Sequence, residues 1–88
     1  MKILLVIDMQ NDFLHGALRN EEGIKIIPSV VEIIQEYKKN NDVVIATRDT
    51  HNSDYLLTQE GINLPVSHCI KDSYGWEINE EISNVLGD

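Results

Sequence analysis

Three residues in the second half of the chain carry side chains that bind divalent transition metals. Asp49 and His51 are one residue apart and follow a short apolar run, and His68 lies seventeen residues beyond His51. Two imidazoles and one carboxylate suit Zn²⁺, and they would also accept Fe²⁺ or Mn²⁺. The spacing alone leaves open that His51 and His68 are surface loop histidines.

Two further residues could take part in proton transfer or nucleophilic attack. Asp8 ends the first apolar run, where a carboxylate either belongs to a site at the strand ends or is only a turn residue. Cys69 is the single cysteine and is adjacent to His68. Neighbouring residues in an extended loop point apart, so a nucleophile–base pair of these two has poor geometry. We therefore expect Cys69 to be a small buried apolar residue.

Two apolar runs predict the strands that position these side chains. Residues 2–8 and 42–47 each contain a continuous apolar stretch rich in β-branched residues, which is typical of parallel strands buried on both faces. Between them, Pro28 can open a helix that Asn40 closes. Strand, helix and strand in this spacing form a βαβ unit with a right-handed crossover, so the predicted fold class is α/β.

The carboxyl ends of both strands then lie side by side at one edge of the sheet. Open α/β folds bind their ligands at this edge. Asp8 follows the first strand, and Asp49 and His51 follow the second. The pattern therefore predicts that these side chains share one site.

The rest of the chain predicts shorter elements. A short helix is expected over residues 53–60, stopped by Gly61, and an extended loop over residues 62–67. A last helix is expected over residues 77–86, terminated by Gly87, because its apolar residues share a face. A βαβα pattern calls for another strand next, so we expect a partial fold.

Composition excludes several classes of function. The chain has 88 residues, 42% of them apolar, and one domain at most. Its formal charge of −8 disfavours nucleic acid and anionic membranes, because both require a surplus of lysine and arginine. No segment reads as a signal peptide or a bilayer span. A single cysteine fits a reducing compartment, so we expect a cytoplasmic protein. Because of the charge and the lack of a span, we expect no nucleic-acid or membrane partner.

Several short motifs follow one another in a set order along most of the chain. They are DMQNDF and GAL (residues 8–13 and 16–18), TRDTH (47–51), TQEG (58–61), LPVSHCI (64–70) and GWEI (75–78). In these motifs the chain resembles the isochorismatase-like cysteine hydrolases, and in particular their nicotinamidase-related branch. The resemblance implies a three-layer α/β/α, Rossmann-like sandwich with parallel strands. Residues 1–88 would be the N-terminal portion of a single hydrolase domain, truncated after the first βαβα portion.

The resemblance also implies a chemistry. Most members of the family hydrolyse an amide-type C–N bond of a small molecule with a triad of Asp, Lys and Cys. By this resemblance Asp8 is the triad aspartate, which takes a proton from the thiol, and Phe13 forms a wall of the substrate pocket. Asp49, His51 and His68 would hold a divalent metal ion, zinc or alternatively iron or manganese.

The chain departs from the family pattern at several positions. Neither the triad lysine nor the nucleophilic cysteine has a counterpart, since Cys69 matches the cysteine beside the third metal ligand and Lys71 matches no triad position. Pro65 stands where nicotinamidases often have an aromatic residue, so another small amide is as good a candidate for the substrate as nicotinamide. Glu60 is the nearby candidate for a fourth metal ligand.

Two other interpretations remain open from the sequence. One is a metal-binding remnant without catalysis, which the sequence does not separate from an enzyme. The other is a receiver-like signalling domain, but a receiver needs an acidic pair after its first strand, and here Met9 and Gln10 follow Asp8. Under the enzyme interpretation, the partners are a small-molecule amide and, because two strands expose their edges, further copies of the chain as a homo-oligomer.

Overall fold

The computed structural model describes residues 1–87 and shows a mixed α/β fold. None of the helices over these residues combines the length and apolarity needed to cross a membrane. Two short 3₁₀ turns accompany the strands and helices. The elements are β1 (Ile3–Val6), α1 (Asn11–Leu14), α2 (Glu21–Lys39), β2 (Val43–Ala46), α3 (Gln59–Asn63) and α4 (Glu80–Leu86), with the 3₁₀ turns at Tyr55–Leu57 and Tyr74–Trp76.

The two strands pair in parallel, as the sequence predicts. Ile3 lies opposite Val43 and Val6 opposite Ala46, and α2 connects the strands. The backbone N–H of Thr47 donates to the carbonyl of Val6 at 2.9 Å and extends the pairing by one step. This βαβ unit confirms the α/β fold class and brings the carboxyl ends of both strands to one edge.

Helix α2 begins earlier than predicted, at Glu21 instead of Pro28. The Asn20 side chain caps it by accepting from the N–H of Gly23 at 3.2 Å, and two glutamates in the first turn favour the positive end of the helix. Pro28 lies inside the helix, where it has no N–H to donate to the preceding turn. The helix therefore starts at the cap formed by residues 20–23 and not at the proline. The end of the helix at Asn40 is as predicted.

The core lies on one face of the sheet. Val6 packs with Ile27 and Ile34 of α2 and with Ile82 of α4. Ile34 and Ile82 are fully buried, and each such side chain contributes about 1.5–3 kcal/mol by leaving water. This packing orients α2 and α4 against the strands and leaves the strand ends free to carry loops.

The opposite face of the sheet is open. Ile3, Leu5 and Ile7 of the first strand region are 60%, 56% and 61% exposed, and Ile45 of β2 is 45% exposed. Side chains alternate between the faces of a strand, so these residues form one continuous aliphatic row. Among residues 1–87, helices therefore cover one side of the two-stranded sheet, which corresponds to two of the three expected layers.

The segment after the second strand differs in detail from the prediction. A 3₁₀ turn at Tyr55–Leu57 leads into α3, whose N-cap Thr58 accepts from the N–H of Gly61 at 3.0 Å. The prediction that Gly61 stops a helix is wrong, because Gly61 lies within α3. It is glycine because its Cα faces the backbone of Tyr55 and Leu56, where a Cβ would collide.

The last helix begins three residues later than predicted. Asn79 caps α4, its side chain accepting from the N–H of Ile82 at 3.2 Å. Asparagine is a strong N-cap because its short side chain reaches the free N–H groups of the first turn. The helix ends at Gly87 as predicted, where φ is +73°.

Gly61→Ala is expected to destabilise the fold by about 1–3 kcal/mol, because backbone atoms cannot move aside as a side chain can. Urea unfolding would measure the difference in the free energy of unfolding. Gly23→Ala is the matched control, since there the nearest atom to a new Cβ is the flexible Cδ2 of Leu14 at 3.0 Å. Equal free energies of unfolding for Gly61→Ala and the wild type would contradict the close approach.

Candidate metal centre

Asp8 stands directly beyond β1, with its carboxylate tied to the end of β2. The Thr47 hydroxyl donates to Oδ1 of Asp8 at 3.0 Å, and the N–H of Asp8 is 3.2 Å from the same hydroxyl oxygen. Asp8 has a φ of +53°, a conformation more accessible to aspartate than to most residues. Sequence reasoning missed Thr47, although its place after β2 marked it as a neighbour of Asp8.

Asp49, His51 and His68 converge beside this edge. Oδ2 of Asp49 lies 3.1 Å from Nε2 of His51 and 3.5 Å from Nε2 of His68. Each of the three residues offers one possible ligand atom to the cluster, and these three atoms lie within 4.8 Å of one another. The His68 side chain is 4% exposed and that of His51 is 14% exposed, so neither is the open surface histidine of the alternative interpretation.

The hydrogen bond of His68 determines which ring nitrogen faces the cluster. Nδ1 of His68 is 2.7 Å from the carbonyl oxygen of Val66. A carbonyl can only accept, so Nδ1 carries a proton and Nε2 is the ring nitrogen that faces Asp49. Metal-binding histidines are typically held by such a bond to a backbone carbonyl. The donor set and this orientation fit a divalent transition metal ion.

A backbone bridge brings His68 to the other two residues. The N–H of His51 donates to the carbonyl of Cys69 at 2.9 Å, and the N–H of Lys71 donates to the carbonyl of His51 at 2.8 Å. These bonds form an isolated parallel pairing between His51 and Ile70. The loop after β2 and the loop that carries His68 are thus joined as two short strands would be.

Aromatic rings surround the imidazoles. The Tyr55 ring is fully buried and meets the rings of His51 and His68 edge-on at centroid distances of 4.6 and 5.0 Å. Its hydroxyl donates to the carbonyl of Leu64 at 2.9 Å, and burial, with Glu60 and Asp49 nearby, raises the pKa of Tyr55. Sequence reasoning did not single out this tyrosine.

Phe13 and Glu60 complete the surroundings of the cluster. The Phe13 ring stands edge-on to His68 at a centroid distance of 5.6 Å. Oε2 of Glu60 is 3.3 Å from Nε2 of His51, and the Glu60 side chain is 60% exposed. A second carboxylate is therefore within reach of the donor atoms of the cluster, as the sequence suggested for Glu60.

Cys69 is fully buried, as predicted. Its burial, followed by the nearby carboxylates of Asp49, Asp12 and Asp8, raises the pKa of the thiol to about 12. A thiol with this pKa is protonated at neutral pH, and nucleophilic attack requires the thiolate. Cys69 therefore acts as a packing residue beside His68.

Three consecutive polar side chains join the loops of the site. Gln10, which is fully buried, bonds to the backbone of Asp49 and Trp76. Asn11 donates from Nδ2 to the carbonyl of Tyr74 at 2.9 Å. Oδ2 of Asp12 accepts from the N–H of Cys69 at 2.8 Å. Sequence reasoning treated these residues only as letters of a motif.

The isochorismatase domain family matches residues 2–88. The nicotinamidase of Saccharomyces cerevisiae is 34% identical over 58 residues, which are 64% of this chain and 27% of that protein.

Solved structures agree with the sequence match. The pyrazinamidase of Pyrococcus horikoshii in complex with zinc is 38% identical, with a TM-score of 0.74 over 90% of this chain and 47% of that one. The nicotinamidase/pyrazinamidase of Bacillus subtilis is 30% identical, with a TM-score of 0.82 over 97% of this chain and 48% of that one. The chain thus spans about half the length of these solved relatives and a smaller share of the yeast protein.

Proposed function

The chain belongs to the isochorismatase domain family, and on this premise we propose that it forms part of a hydrolase that cleaves an amide-type C–N bond of a small molecule, as a nicotinamidase does. One observation supports the proposal above all: Asp8 and the cluster of Asp49, His51 and His68 lie at the same edge of a parallel sheet. Amide hydrolysis by a chimera of residues 1–88 and the unmatched half of the Bacillus subtilis relative tests it.

In this proposal Asp49, His51 and His68 hold one divalent metal ion. Imidazole nitrogen and carboxylate oxygen are ligands that zinc accepts, and the Pyrococcus horikoshii relative is described in complex with zinc. Iron and manganese suit the same donors. Glu60, whose Oε2 is 3.3 Å from Nε2 of His51, is the nearby candidate for a fourth protein ligand. When bound, the metal supplies positive charge that orients a polar atom of the substrate.

Asp8 has the role of proton acceptor and donor. Its Oδ1 is held by the Thr47 hydroxyl, which leaves Oδ2 of the carboxylate for a second partner. That partner is the thiol of the family's catalytic cysteine, which has no counterpart in residues 1–88. Asp8 takes the thiol proton, the thiolate attacks the substrate carbonyl, and Asp8 gives the proton to the amine as the C–N bond breaks. Water then hydrolyses the thioester that this step forms and restores the thiol. Phe13, beside His68, forms an apolar wall that places a small planar amide next to the metal ligands.

The second candidate function is metal binding without catalysis. One observation favours it for residues 1–88 taken by themselves: the thiol of Cys69 is buried and has a raised pKa, and so it is not an available nucleophile. Under this interpretation metal binds and no small amide is hydrolysed. The chimera separates the two candidates, because only a competent Asp8 site supports turnover there.

We also propose that copies of the chain associate through the open face of the sheet. Ile3, Leu5 and Ile7 form an exposed aliphatic row, and each of the two strands has an unpaired edge. The sedimentation coefficient is expected to rise with concentration in the micromolar range. Leu5→Lys should reduce this rise, whereas Leu57→Lys should not, since Leu57 is 84% exposed on a turn outside the sheet. A wild-type monomer at every concentration would rule out the association.

A further inference from the structure

The Gln10 side chain makes the hydrogen bonds that a neighbouring strand would make. Its Oε1 accepts from the N–H of Asp49 at 2.8 Å, and its Nε2 donates to the carbonyl of Asp49 at 2.8 Å. The second hydrogen of Nε2 goes to the carbonyl of Trp76 at 2.7 Å. Both donors of the amide and one acceptor site are therefore used by one fully buried side chain.

These bonds hold the backbone of one member of the metal cluster. Asp49 supplies the carboxylate oxygen that lies between the two imidazoles, with Oδ2 3.1 Å from Nε2 of His51 and 3.5 Å from Nε2 of His68. His51 is held by backbone bonds to Cys69 and Lys71. Asp49, in contrast, is held at both its N–H and its C=O by the amide of Gln10. Gln10 therefore holds the backbone from which the Asp49 carboxylate projects.

We propose that Gln10 is a positioning residue for the metal site, which fixes Asp49 before the metal arrives and so sets the affinity of the site. The proposal rests on the metal site described under the proposed function. A ligand that is already in place loses less conformational freedom on binding, and outer partners of metal ligands act in this way. Through Trp76, the same amide ties Asp49 to the 3₁₀ turn at Tyr74–Trp76.

Asn11 offers a matched comparison within the same segment. It is 4% exposed, and its amide donates to the carbonyl of Tyr74 in the same 3₁₀ turn. Its amide bonds to that turn and not to a member of the metal cluster. If both amides only stabilise the fold, replacing either one will have the same consequence for metal binding. If Gln10 positions Asp49, only its replacement will weaken metal binding.

The experiment compares Gln10→Met with Asn11→Leu, each of which replaces an amide by an apolar side chain of similar shape. Zinc affinity is measured on the full chain by competition with a chromophoric chelator, and thermal unfolding is measured in EDTA. We expect Gln10→Met to bind zinc about 10- to 100-fold more weakly, the usual cost of losing an outer partner. Asn11→Leu is expected to lower the unfolding midpoint and keep the zinc affinity of the wild type.

Amide hydrogen exchange in the metal-free wild type gives a second test that does not depend on the folding of a variant. The N–H of Asp49 should be protected relative to amides of the exposed loop around Ser53, because it is bonded to a buried oxygen. Exchange as fast as in that loop would overturn the proposal. So would equal zinc affinities for Gln10→Met and Asn11→Leu. A wild type that binds no zinc would overturn the metal site and this proposal together.

Discussion

Replacing His51 or His68 by alanine is expected to abolish stoichiometric metal binding. The wild-type chain should hold one divalent ion, zinc under ordinary growth conditions, between Asp49 and the two imidazoles. Each variant removes one imidazole from the cluster and leaves fewer protein donors to hold the ion. The loss in affinity should exceed the roughly 10- to 100-fold that the loss of an outer partner costs. Elemental analysis after dialysis, followed by chelator competition, measures both stoichiometry and affinity.

His15 provides the control for this experiment. It is the remaining one of the chain's three histidines, is exposed at the end of α1 and is not a member of the Asp49–His51–His68 cluster. His15→Ala should therefore retain the wild-type stoichiometry. Glu60→Gln should give an intermediate result, because its carboxylate is exposed and only adjoins His51. Metal content unchanged by both His51→Ala and His68→Ala would refute the site.

The 88-residue chain alone is expected to release no ammonia from nicotinamide or from other small amides. Amide attack in the proposed mechanism requires a thiolate within reach of Asp8. The single thiol in the chain, that of Cys69, is fully buried with a pKa raised to about 12. At neutral pH it stays protonated, and its activity as a nucleophile would appear only toward strongly alkaline pH, where the thiolate forms.

A chimera should restore turnover and identify the residue that is responsible. Residues 1–88, joined to the unmatched half of the Bacillus subtilis relative, are expected to hydrolyse a small amide. Asp8→Asn should lower kcat in the chimera by about 10⁴-fold, the scale on which triad carboxylates act. Cys69→Ala should leave kcat unchanged, although it opens a small cavity and lowers stability.

Two results would contradict this assignment. Turnover by the isolated chain that is abolished by Cys69→Ala would make Cys69 the nucleophile, against its burial. Turnover by the isolated chain that is lost with Asp8→Asn and kept with Cys69→Ala would point to hydrolysis by a metal-activated water. Ammonia release, measured on the wild type and both variants with and without zinc, distinguishes these results.

Local sequence patterns were sufficient for the framework and for half of the site. The two apolar runs predicted parallel strands, and parallel strands place their carboxyl ends at one edge whatever the details of packing. That rule alone predicted that Asp8 lies beside the segment of Asp49 and His51. The hydrogen bonds between Thr47 and Asp8 join these two strand ends in the structure. The order of the motifs was enough to indicate the family, and the family match bears this out.

Where several local signals competed, the sequence misled. Pro28 predicted the start of α2, but the cap at Asn20 and the two glutamates after it begin the helix at Glu21. Gly61 predicted the end of a helix, but it lies inside α3 because the chain folds back against Tyr55. Sequence rules treat proline and glycine as residues that end a helix. In the folded chain, the helix boundaries depend on all the capping bonds and tertiary contacts at each position.

Only the tertiary structure decided how the remaining parts of the site come together. His68 reaches Asp49 through the backbone pairing of His51 with Ile70, in which Cys69 adopts a φ of +51°. Gln10 holds Asp49 across 39 residues of sequence. Hydrophobic periodicity reports which face of one element is buried, and it carries no information on which irregular loops pair with one another. Those pairings follow from the burial of polar groups, since each buried N–H and C=O has to find a partner within the folded chain.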